Sequence, residues 1–565
     1  MKKIVAMLLA LGMLLSMAAC GGTEVSSAPQ ESTASAAPVQ SQEPAVQEPA
    51  STPQEEASAE AAPADTSSTI SYPLEEAVTL TAMGAIYQPR TADKITTWSE
   101  SLQYTEAAKA TNVTIDMTCV ASAAQQEQTQ LTIASGDYPD LMTSLNMYYQ
   151  VEDLVEQDII IDLMPYLEEF APDYIRTVRE MGYDKDIITD SGVSPATYYI
   201  TEGVPNSGML IRKDLLDAAG LDAPVTYEDY DVVLAAFKDQ GIVEPFAMDG
   251  TSTGGSDVYN AGLGVQLYSH PIQGSGNDGF YQVDGEVKFG YLEEGFITYM
   301  TQMADWYAKG YISPDYISEN ENNNSEDFTG KVTAGEIGVF TAGRTNIDTY
   351  NQEGQLNNPD FEIIPIASPR VEAGQEIHLA SWRESSLTAG FFVTSACDNV
   401  EALLAWHNYW FTEAGNMLSN YGVEGLTYEM VDGKPVYTDM ITNNPDGLTL
   451  TQTTYIYIGQ MGVVDNSRED QLYSDVTVEA KEIWGENVDN DWKIPGSCSM
   501  TAEESEEYSS TFSDIQTYIK EMLPKFVMGD EPIENLGTFQ DTIHSMGIAD
   551  CMAAWQSALD RYNER

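Results

Sequence analysis

The stretch QLTIASGDYPDLM, residues 130–142, contains the signals that decide the fold. Its first part has the composition of a helix end, and Gly136 is the residue type that most often terminates a helix. Pro139 prevents the helix from restarting, because a proline inside a helix removes a hydrogen bond and clashes with the preceding turn. Leu141 and Met142 then begin a short apolar segment. The stretch therefore predicts a helix followed by a buried strand, as in an α/β sheet.

Polar residues follow this predicted strand directly. They are Thr143, Ser144, Asn146 and Tyr148. In an open α/β sheet, ligands bind in the crevice outside the carboxyl ends of the strands. We therefore predict that Ser144, Asn146 and Tyr148 contact a ligand. The alternative is that the stretch is one ordinary structural unit of a large α/β domain.

A second group of signals lies further along the chain. Residues 209–211 form a predicted buried strand, and Thr226 with Asp229 resembles a capping box that opens a helix. Asn206 precedes the strand in a polar segment that suits a crossover between two lobes, which makes it a candidate ligand contact. The helix has apolar residues at helical spacing, which predicts a core face: Tyr230, Val233, Leu234 and Phe237.

Other candidate ligand contacts lie in the middle of the chain. Arg344 follows an apolar strand predicted at residues 338–340. Trp382 and Arg383 stand together in a polar loop, and a tryptophan beside an arginine is typical of a platform on which a sugar stacks. A tryptophan that only packs is the alternative. Tyr259 is a further aromatic candidate.

Two segments resemble motifs for other ligands. GSGNDG, residues 274–279, has the spacing of a dinucleotide loop. The alternating residues around Asp284 and Gly285 predict a hairpin, however, where that motif requires a helix. Segment 319–327 lacks the ligand pattern of a calcium loop and is predicted to be a solvated loop. The sequence also lacks an HExxH pattern, and we predict no cofactor, no metal ion and no catalytic residue.

The amino-terminal residues predict export and attachment to a membrane. Residues 1–19 combine two lysines, an apolar run and small residues, as a secretory signal peptide does. Cys20 follows the small residues as in the lipobox of bacterial lipoproteins, which predicts acylation, for example by palmitate, and an anchor on the extracellular face of the cell membrane. Residues 20–68 contain no aromatic residue and are predicted to be a disordered linker. The folded domain is predicted at residues 70–565.

The charge and the cysteines exclude several functional classes. The chain has 25 Lys and Arg against 89 Asp and Glu residues, a formal net charge of −64. Such acidity argues against nucleic acid and other polyanions as general partners. Cys119, Cys397, Cys498 and Cys551 lie far apart without CxxC spacing. We predict buried free thiols, and disulfide bonds are the alternative.

Several motifs are similar to those of LplA-type lipoproteins, the extracellular solute-binding subunits of ABC importers. The more specific ones are YGVEGLTYEMVDGKPVYTDM at residues 421–440, KFVMGDEPIENLGTF at 525–539 and MGIADCMAAWQSALDRYNER at 546–565. ASGDYPDL and LIRKDLLDAAGL are similar as well. The resemblance implies two α/β lobes that are joined by a hinge, close on a solute and deliver it to permease subunits. Many relatives carry carbohydrates, often oligosaccharides.

These features predict an α/β fold with two lobes, like that of periplasmic binding proteins. Lobe I is predicted at about residues 70–205 and 387–428, and lobe II at about residues 206–384 and 429–565. The predicted function is non-catalytic capture of a carbohydrate or oligosaccharide in the cleft between the lobes, by a monomer. A surface glycoside hydrolase and a peptide-binding or sensory lipoprotein are the alternatives.

Overall fold

The fold is built on two four-stranded sheets, each packed against its own hydrophobic core. The computed structural model describes residues 70–92, 94–201, 207–248, 257–267, 279–317, 325–379, 386–486 and 490–565. They belong to one compact unit, Pro63–Arg565. The strands are, in chain order, β1 Val78–Ile86, β2 Val113–Ala121, β3 Leu141–Met142, β4 Tyr198–Thr201, β5 Ser207–Arg212, β6 Glu244–Phe246, β7 Phe280–Val283, β8 Glu286–Phe289, β9 Ile337–Gly343, β10 Ile363–Ile366, β11 Ser386–Ala389, β12 Phe392–Val393, β13 Tyr428–Val431, β14 Lys434–Tyr437 and β15 Val463–Val464.

Helices surround these sheets. None of the helices in the described ranges has the length and apolar composition of a membrane-crossing segment. The α-helices are Gln88–Thr91, Leu102–Thr111, Gln125–Ser135, Val151–Glu156, Met164–Phe170, Pro172–Glu180, Lys213–Ala219, Tyr227–Asp239, Asp257–Asn260, Glu294–Lys309, Ser325–Ala334, Ile347–Asn357, Val400–Tyr409, Glu413–Tyr421, Asp439–Thr442, Leu450–Tyr457, Asp475–Gly485, Ala502–Met528, Leu536–Ser545 and Ile548–Glu564.

The first sheet has the strand order β12-β3-β1-β2. Both β2 and β3 are parallel to β1, and β12 is antiparallel to β3. Residues of β1 and β2 alternate between more and less buried positions, because successive side chains of a strand point to opposite faces. Their buried side chains pack with those of helix Val400–Tyr409. We call the elements packed on this sheet the first lobe.

The helix and strand predicted around residues 130–142 are confirmed. Helix Gln125–Ser135 ends at Gly136, whose φ of 73° is a left-handed conformation that glycine adopts without a Cβ penalty. The buried β3 follows and lies between β1 and β12. Asp140 Oδ2 accepts hydrogen bonds from the backbone N and the Oγ1 of Thr81, each 2.7 Å long. These bonds attach the start of β3 to β1.

The second sheet has the strand order β10-β5-β9-β6. In it, β6 is parallel to β9, while β5 is antiparallel to both β9 and β10. One hydrophobic cluster joins this sheet to helices Tyr227–Asp239 and Ile548–Glu564. A different cluster joins it to helices Ile347–Asn357 and Asp475–Gly485. We call the elements packed on this sheet the second lobe.

Local signals in the second lobe are confirmed. Thr226 Oγ1 accepts a hydrogen bond from Asp229 N, and Asp229 Oδ2 accepts one from Thr226 N, which together form the predicted capping box. Strands β7 and β8 form the predicted hairpin, with φ of 53° at Asp284 and 84° at Gly285. All of the predicted core residues of helix Tyr227–Asp239 are buried.

One predicted cap is wrong. Helix Val400–Tyr409 begins after Asn399, and the side chain of Asn399 makes no cap hydrogen bond. Asp398 and Glu401 have the sequence spacing of a capping box, and this prediction requires Asp398 to stand directly before the first helical turn. The helix begins one residue too late for this arrangement.

A third sheet, with the order β11-β4-β15, lies where the chain passes between the lobes. Strand β4 precedes β5 of the second lobe, β11 returns from that lobe, and β15 precedes helix Asp475–Gly485. Because two of these strands leave the first lobe and one returns, β15 is parallel to β4 and β11 is antiparallel to it. The three crossings therefore begin or end side by side.

The first lobe continues beyond residue 428. One hydrophobic cluster joins Tyr421 to Tyr437, Ile441 and Ile458. Helix Leu450–Tyr457 also contacts helices of the amino-terminal part of the first lobe. The packing thus extends the second segment of this lobe from β11 to β15, past the boundary predicted from the sequence.

The four described cysteines are free thiols, as predicted. Burial raises the pKa of the Cys397 and Cys551 thiols to about 11 and that of Cys498 to about 12. Cys119 is half-buried, and its pKa is also raised by burial. Cys397 is half-buried as well, so the prediction of full burial holds for Cys498 and Cys551.

Candidate functional site

A crevice is expected at one edge of the first sheet, where the direction of strand addition reverses. From β1 the chain moves to β2 on one side, and from β2 it crosses β1 to form β3 on the other side. Such a switch point opens a crevice outside the carboxyl ends of the strands. The ends concerned are Ile86 of β1 and Met142 of β3. A hydrogen bond of 3.1 Å from Thr143 N to Met83 O connects the residue after β3 to β1.

The predicted ligand contacts Ser144, Asn146 and Tyr148 lie in the turn that follows β3. Asn146 is exposed, and the other two side chains are half-buried. Ser144 has a φ of 62° and a ψ of 22°, a left-handed conformation that costs a residue with a Cβ roughly 1 to 2 kcal/mol. Strained non-glycine residues are concentrated at ligand sites. Five other described non-glycine residues also have a positive φ, so this conformation alone does not distinguish the turn.

Four side chains form a compact group after β1: Tyr87, Arg90, Trp98 and Tyr455. We call it the Arg90 cluster. The guanidinium carbon of Arg90 lies 5.0 Å from the centre of the Tyr455 ring and 5.8 Å from that of Tyr87. Arg90 Nη1 donates a hydrogen bond to Tyr455 Oη. The ring centres of Trp98 and Tyr455 are 6.2 Å apart, with the ring planes inclined by 36°.

Neighbouring elements hold the rings of the Arg90 cluster in place. Trp98 Nε1 donates a hydrogen bond of 2.9 Å to the carbonyl oxygen of Ala85, which attaches the indole to the end of β1. The ring of Tyr455 belongs to helix Leu450–Tyr457. Gln452 Nε2 of the same helix donates a hydrogen bond of 3.1 Å to Pro89 O, which holds the helix beside Arg90. The cluster is therefore a preformed aromatic surface at the switch point.

In the second lobe, Arg344 follows the carboxyl end of β9. Its side chain is 3 % exposed, and its Nη2 forms an ion pair of 2.7 Å with Glu469 Oε2. Its guanidinium carbon lies 5.5 Å from the centre of the Tyr473 ring. Ser207 pairs with Gly343, so the chain enters the second lobe at the edge where β9 ends. Arg344 therefore lies beside the crossings, and its Nε and Nη1 are buried without a hydrogen-bond partner.

Tyr259 lies in the core of the second lobe, where it is 1 % exposed. Its ring makes edge-to-face contacts with Tyr227, Phe246 and Trp306. Its hydroxyl is paired with Gln302 Oε1 at 3.0 Å. The structure thus corrects the interpretation of this ring as an accessible ligand contact. An aromatic residue with a hydroxyl suits both roles, and the sequence does not distinguish them.

Several predictions fall outside the described residues. They are the ligand contacts Asn206, Trp382 and Arg383, the acylated Cys20, the signal peptide and linker at residues 1–19 and 20–68, and most of segment 319–327. Of the five remaining predicted contacts, three share the turn after β3, Arg344 follows β9 and Tyr259 lies in the core of the second lobe.

The sequence interpretation missed the Arg90 cluster. The sequence of β1, VTLTAMGAI, has the alternation of a half-buried strand, and Tyr87 follows its end as Thr143 follows the end of β3. That pattern points to Tyr87 and Arg90. Tyr455 is 365 positions from Arg90 along the chain, so only the folded structure brings the two together.

The edge of the first sheet where β1 and β3 end presents side chains that can bind a ligand. Aromatic faces pack against apolar surface, and the guanidinium group donates hydrogen bonds.

Burial raises the pKa of the carboxyl groups of Asp186 and Glu293. Neither residue follows β1, β3 or β9. Within the described ranges, no group of three or more potential ligand side chains forms a metal site.

Two characterised proteins are similar to the chain in sequence. Lipoprotein LipO of Bacillus subtilis (strain 168) is 24% identical over 351 residues, which cover 60% of this chain and 65% of LipO. The fructooligosaccharide ABC transporter substrate-binding protein FusA of Streptococcus pneumoniae serotype 4 is 22% identical over 529 residues, which cover 87% of this chain and 92% of FusA. The match to LipO thus spans slightly less than two thirds of that protein.

The fold is similar to that of solved solute-binding proteins. The crystal structure of the alginate-binding protein AlgQ2 without calcium ion has a TM-score of 0.64 and 23% sequence identity, and the match covers 86% of this chain and 99% of AlgQ2. FusA in complex with kestose has a TM-score of 0.63 and 18% identity, with coverage of 86% and 99%. These similarities confirm the predicted two-lobed α/β fold.

A family model describes the greater part of the chain. The model of the bacterial extracellular solute-binding proteins matches residues 91–417, which include the turn after β3 and Arg344. This match confirms the resemblance inferred from the sequence motifs and assigns the chain a binding role, not a catalytic one. The chain belongs to the family of bacterial extracellular solute-binding proteins.

Proposed function

We propose that this protein captures a carbohydrate, in particular an oligosaccharide, between its two lobes and delivers it to the permease subunits of an ABC transporter. The observation that carries the proposal is the Arg90 cluster at the switch point of the first sheet. Ligands bind at such points in α/β sheets, and aromatic rings provide flat apolar surface for the C–H face of a sugar. The name of FusA, a fructooligosaccharide-binding ABC component, supports the same class of solute.

The proposed site has contributions from both lobes. In the first lobe, the Arg90 cluster and the turn with Ser144, Asn146 and Tyr148 share the carboxyl edge of one sheet. In the second lobe, Arg344 lies at the edge where the chain enters from the crossing. Asn206, Trp382 and Arg383 remain predicted contacts of the same site.

Closure of the lobes is proposed to occur at the β11-β4-β15 sheet. Because all three crossings are anchored in this small sheet, rotation there changes few backbone angles and moves each lobe as a body. A ligand that contacts both lobes would stabilise the closed form, since it binds that form better. The permease could then recognise the closed form with its bound ligand.

The proposed location is the extracellular face of the cell membrane. Residues 1–19 would direct export, and an acyl group on Cys20 would attach the chain to the bilayer. The linker 20–68 would let residues 70–565 capture solute as a monomer near the permease.

A thermal-shift screen tests the proposed function. The purified protein is incubated with neutral and acidic oligosaccharides, with peptides and with polyols, and its unfolding midpoint is measured. A ligand at 100 times its Kd stabilises the folded form by about 2.7 kcal/mol, which raises the midpoint measurably. We expect at least one oligosaccharide to do so. If peptides raise the midpoint and no sugar does, the proposed function is wrong.

A further inference from the structure

Arg90 is an exposed arginine of a strongly acidic chain. Six other described arginines form ion pairs with carboxylates: Arg176, Arg179, Arg212, Arg344, Arg561 and Arg565. Arg90 is exposed, and no carboxylate among the described residues lies within ion-pair distance of it. With 89 acidic and 25 basic residues, acidic side chains are the most available partners for an exposed arginine. The surroundings of Arg90 instead provide aromatic rings.

Among the described residues, only part of the Arg90 guanidinium has a hydrogen-bond acceptor. Its Nη1 donates to Tyr455 Oη, and the group lies near the rings of Tyr455 and Tyr87. Its Nε and Nη2 donate no hydrogen bond to any described residue. These two nitrogens form a planar fork, which matches the two oxygens of a carboxylate. Contact with the rings restricts the orientation of the fork in advance of binding.

The rings beside this fork have accessible faces. Tyr87 is 54 % exposed, and Trp98 and Tyr455 are half-buried. A sugar ring that packs on such a face would place its substituents beside the arginine. One surface thus provides an apolar contact for a ring and a cationic contact for an anion.

We propose that the Arg90 cluster binds a sugar that carries a carboxylate, that is, a uronic acid unit of an acidic oligosaccharide. The inference rests on the proposed function and names the class of solute at the same site. A carboxylate fits better than a phosphate, because the field of the −64 net charge opposes a dianion about twice as strongly as a monoanion. A neutral sugar would leave the fork without its matching acceptor.

Calorimetry with a matched pair of ligands tests this inference. An oligosaccharide that contains a single galacturonate unit and the methyl ester of that oligosaccharide differ in the charge of one group, while the sugar rings are the same. We expect the wild-type protein to bind the acid at least tenfold more tightly than the ester. Arg90→Gln should bring the two affinities within about twofold, because it removes the charge and the fork. Arg90→Lys keeps the charge but not the fork and should restore only part of the difference.

Arg179→Gln is the control variant. Arg179 is a half-exposed arginine of the same lobe, paired with Glu168, and this substitution removes the same charge from the net field. It should leave the tenfold preference unchanged, and the unliganded midpoints of the variants show whether each one folds.

Equal wild-type affinities for acid and ester would overturn the inference, as would a preference that survives in Arg90→Gln. Binding of neutral oligosaccharides without binding of the uronate would overturn the inference and leave the proposed function in place. Binding of no carbohydrate at all would overturn both.

Discussion

At the scale of single residues, His407 shows how burial changes an ionisable group. The side chain is fully buried in the first lobe. Its ring centre lies 4.7 Å from that of Tyr174 and 5.2 Å from that of Phe411. Burial among these rings lowers the pKa of the imidazole to about 3, since the charged form loses its solvation there. His407 is therefore neutral in the folded protein at physiological pH.

This lowered pKa predicts a pH dependence of stability. The histidine of the unfolded chain has a pKa near 6.5, so the unfolded state takes up the proton first as the pH falls. The contribution of His407 to the free energy of unfolding should be constant above about pH 6.5 and should decrease by about 1.4 kcal/mol per pH unit between about pH 6.5 and pH 3. Urea unfolding measures this effect. From pH 7 to pH 5, the free energy of unfolding should decrease by about 2 kcal/mol more in the wild type than in His407→Phe. Equal losses would contradict the lowered pKa.

Residue signals predict the structure well where they act over a few positions. Gly136 ends a helix, and Thr226 caps another with Asp229, because both effects depend on neighbours within four residues. Tyr259 was misinterpreted because its burial depends on distant elements. The contact between Arg90 and Tyr455 depends on the fold of the whole lobe in the same way.

At the scale of elements, the end of helix Ile548–Glu564 connects the second lobe to the first. Arg561 Nε donates a hydrogen bond of 2.8 Å to Asp190 Oδ2, and Arg565 Nη2 donates one of 2.6 Å to Asp190 Oδ1. Arg565 Nη1 also donates to Lys185 O at 2.9 Å. The side chain of Arg565 is 2% exposed. Asp190 thus neutralises a buried charge where the two lobes meet.

Asp190→Asn should destabilise the protein by roughly 3 kcal/mol, because it removes the carboxylate that forms the ion pair with the buried Arg565. The free energy of unfolding in urea measures this change. Asp184→Asn is the matched control, since Asp184 is 57% exposed and lies 3.6 Å from Arg179. Exposed pairs contribute about 1 kcal/mol or less. If both variants lose the same stability, Asp190 does not have the role described.

Elements were predicted from the sequence where periodicity and turn residues agree. The β7-β8 hairpin follows from its alternation around Asp284 and Gly285. The sequence did not predict that β11, β4 and β15 form one sheet, because these strands come from three distant segments of the chain. For the same reason, the extent of the first lobe beyond residue 428 required the packing around Tyr437 and Ile458.

At the scale of the whole molecule, attachment to the membrane is a prediction that the sequence alone supports. An acyl group on Cys20 would retain the exported chain at the cell surface. Cys20→Ser should therefore release the protein into the medium, and immunoblots of cells and culture supernatant measure the partition. A variant that stays with the cells as completely as the wild type would show that Cys20 is not the anchor.

The raised thiol pKa values have a consequence for spectroscopy. A thiol with a pKa of about 11 is deprotonated in roughly one molecule in ten thousand at pH 7, and the thiolate is the reactive form. Maleimide dyes should therefore react selectively with cysteines introduced at exposed positions, such as Leu131→Cys on the first lobe and Leu356→Cys on the second, which are 57% and 84% exposed. Energy transfer between two such dyes would report the opening and closing of single molecules without removal of the native cysteines.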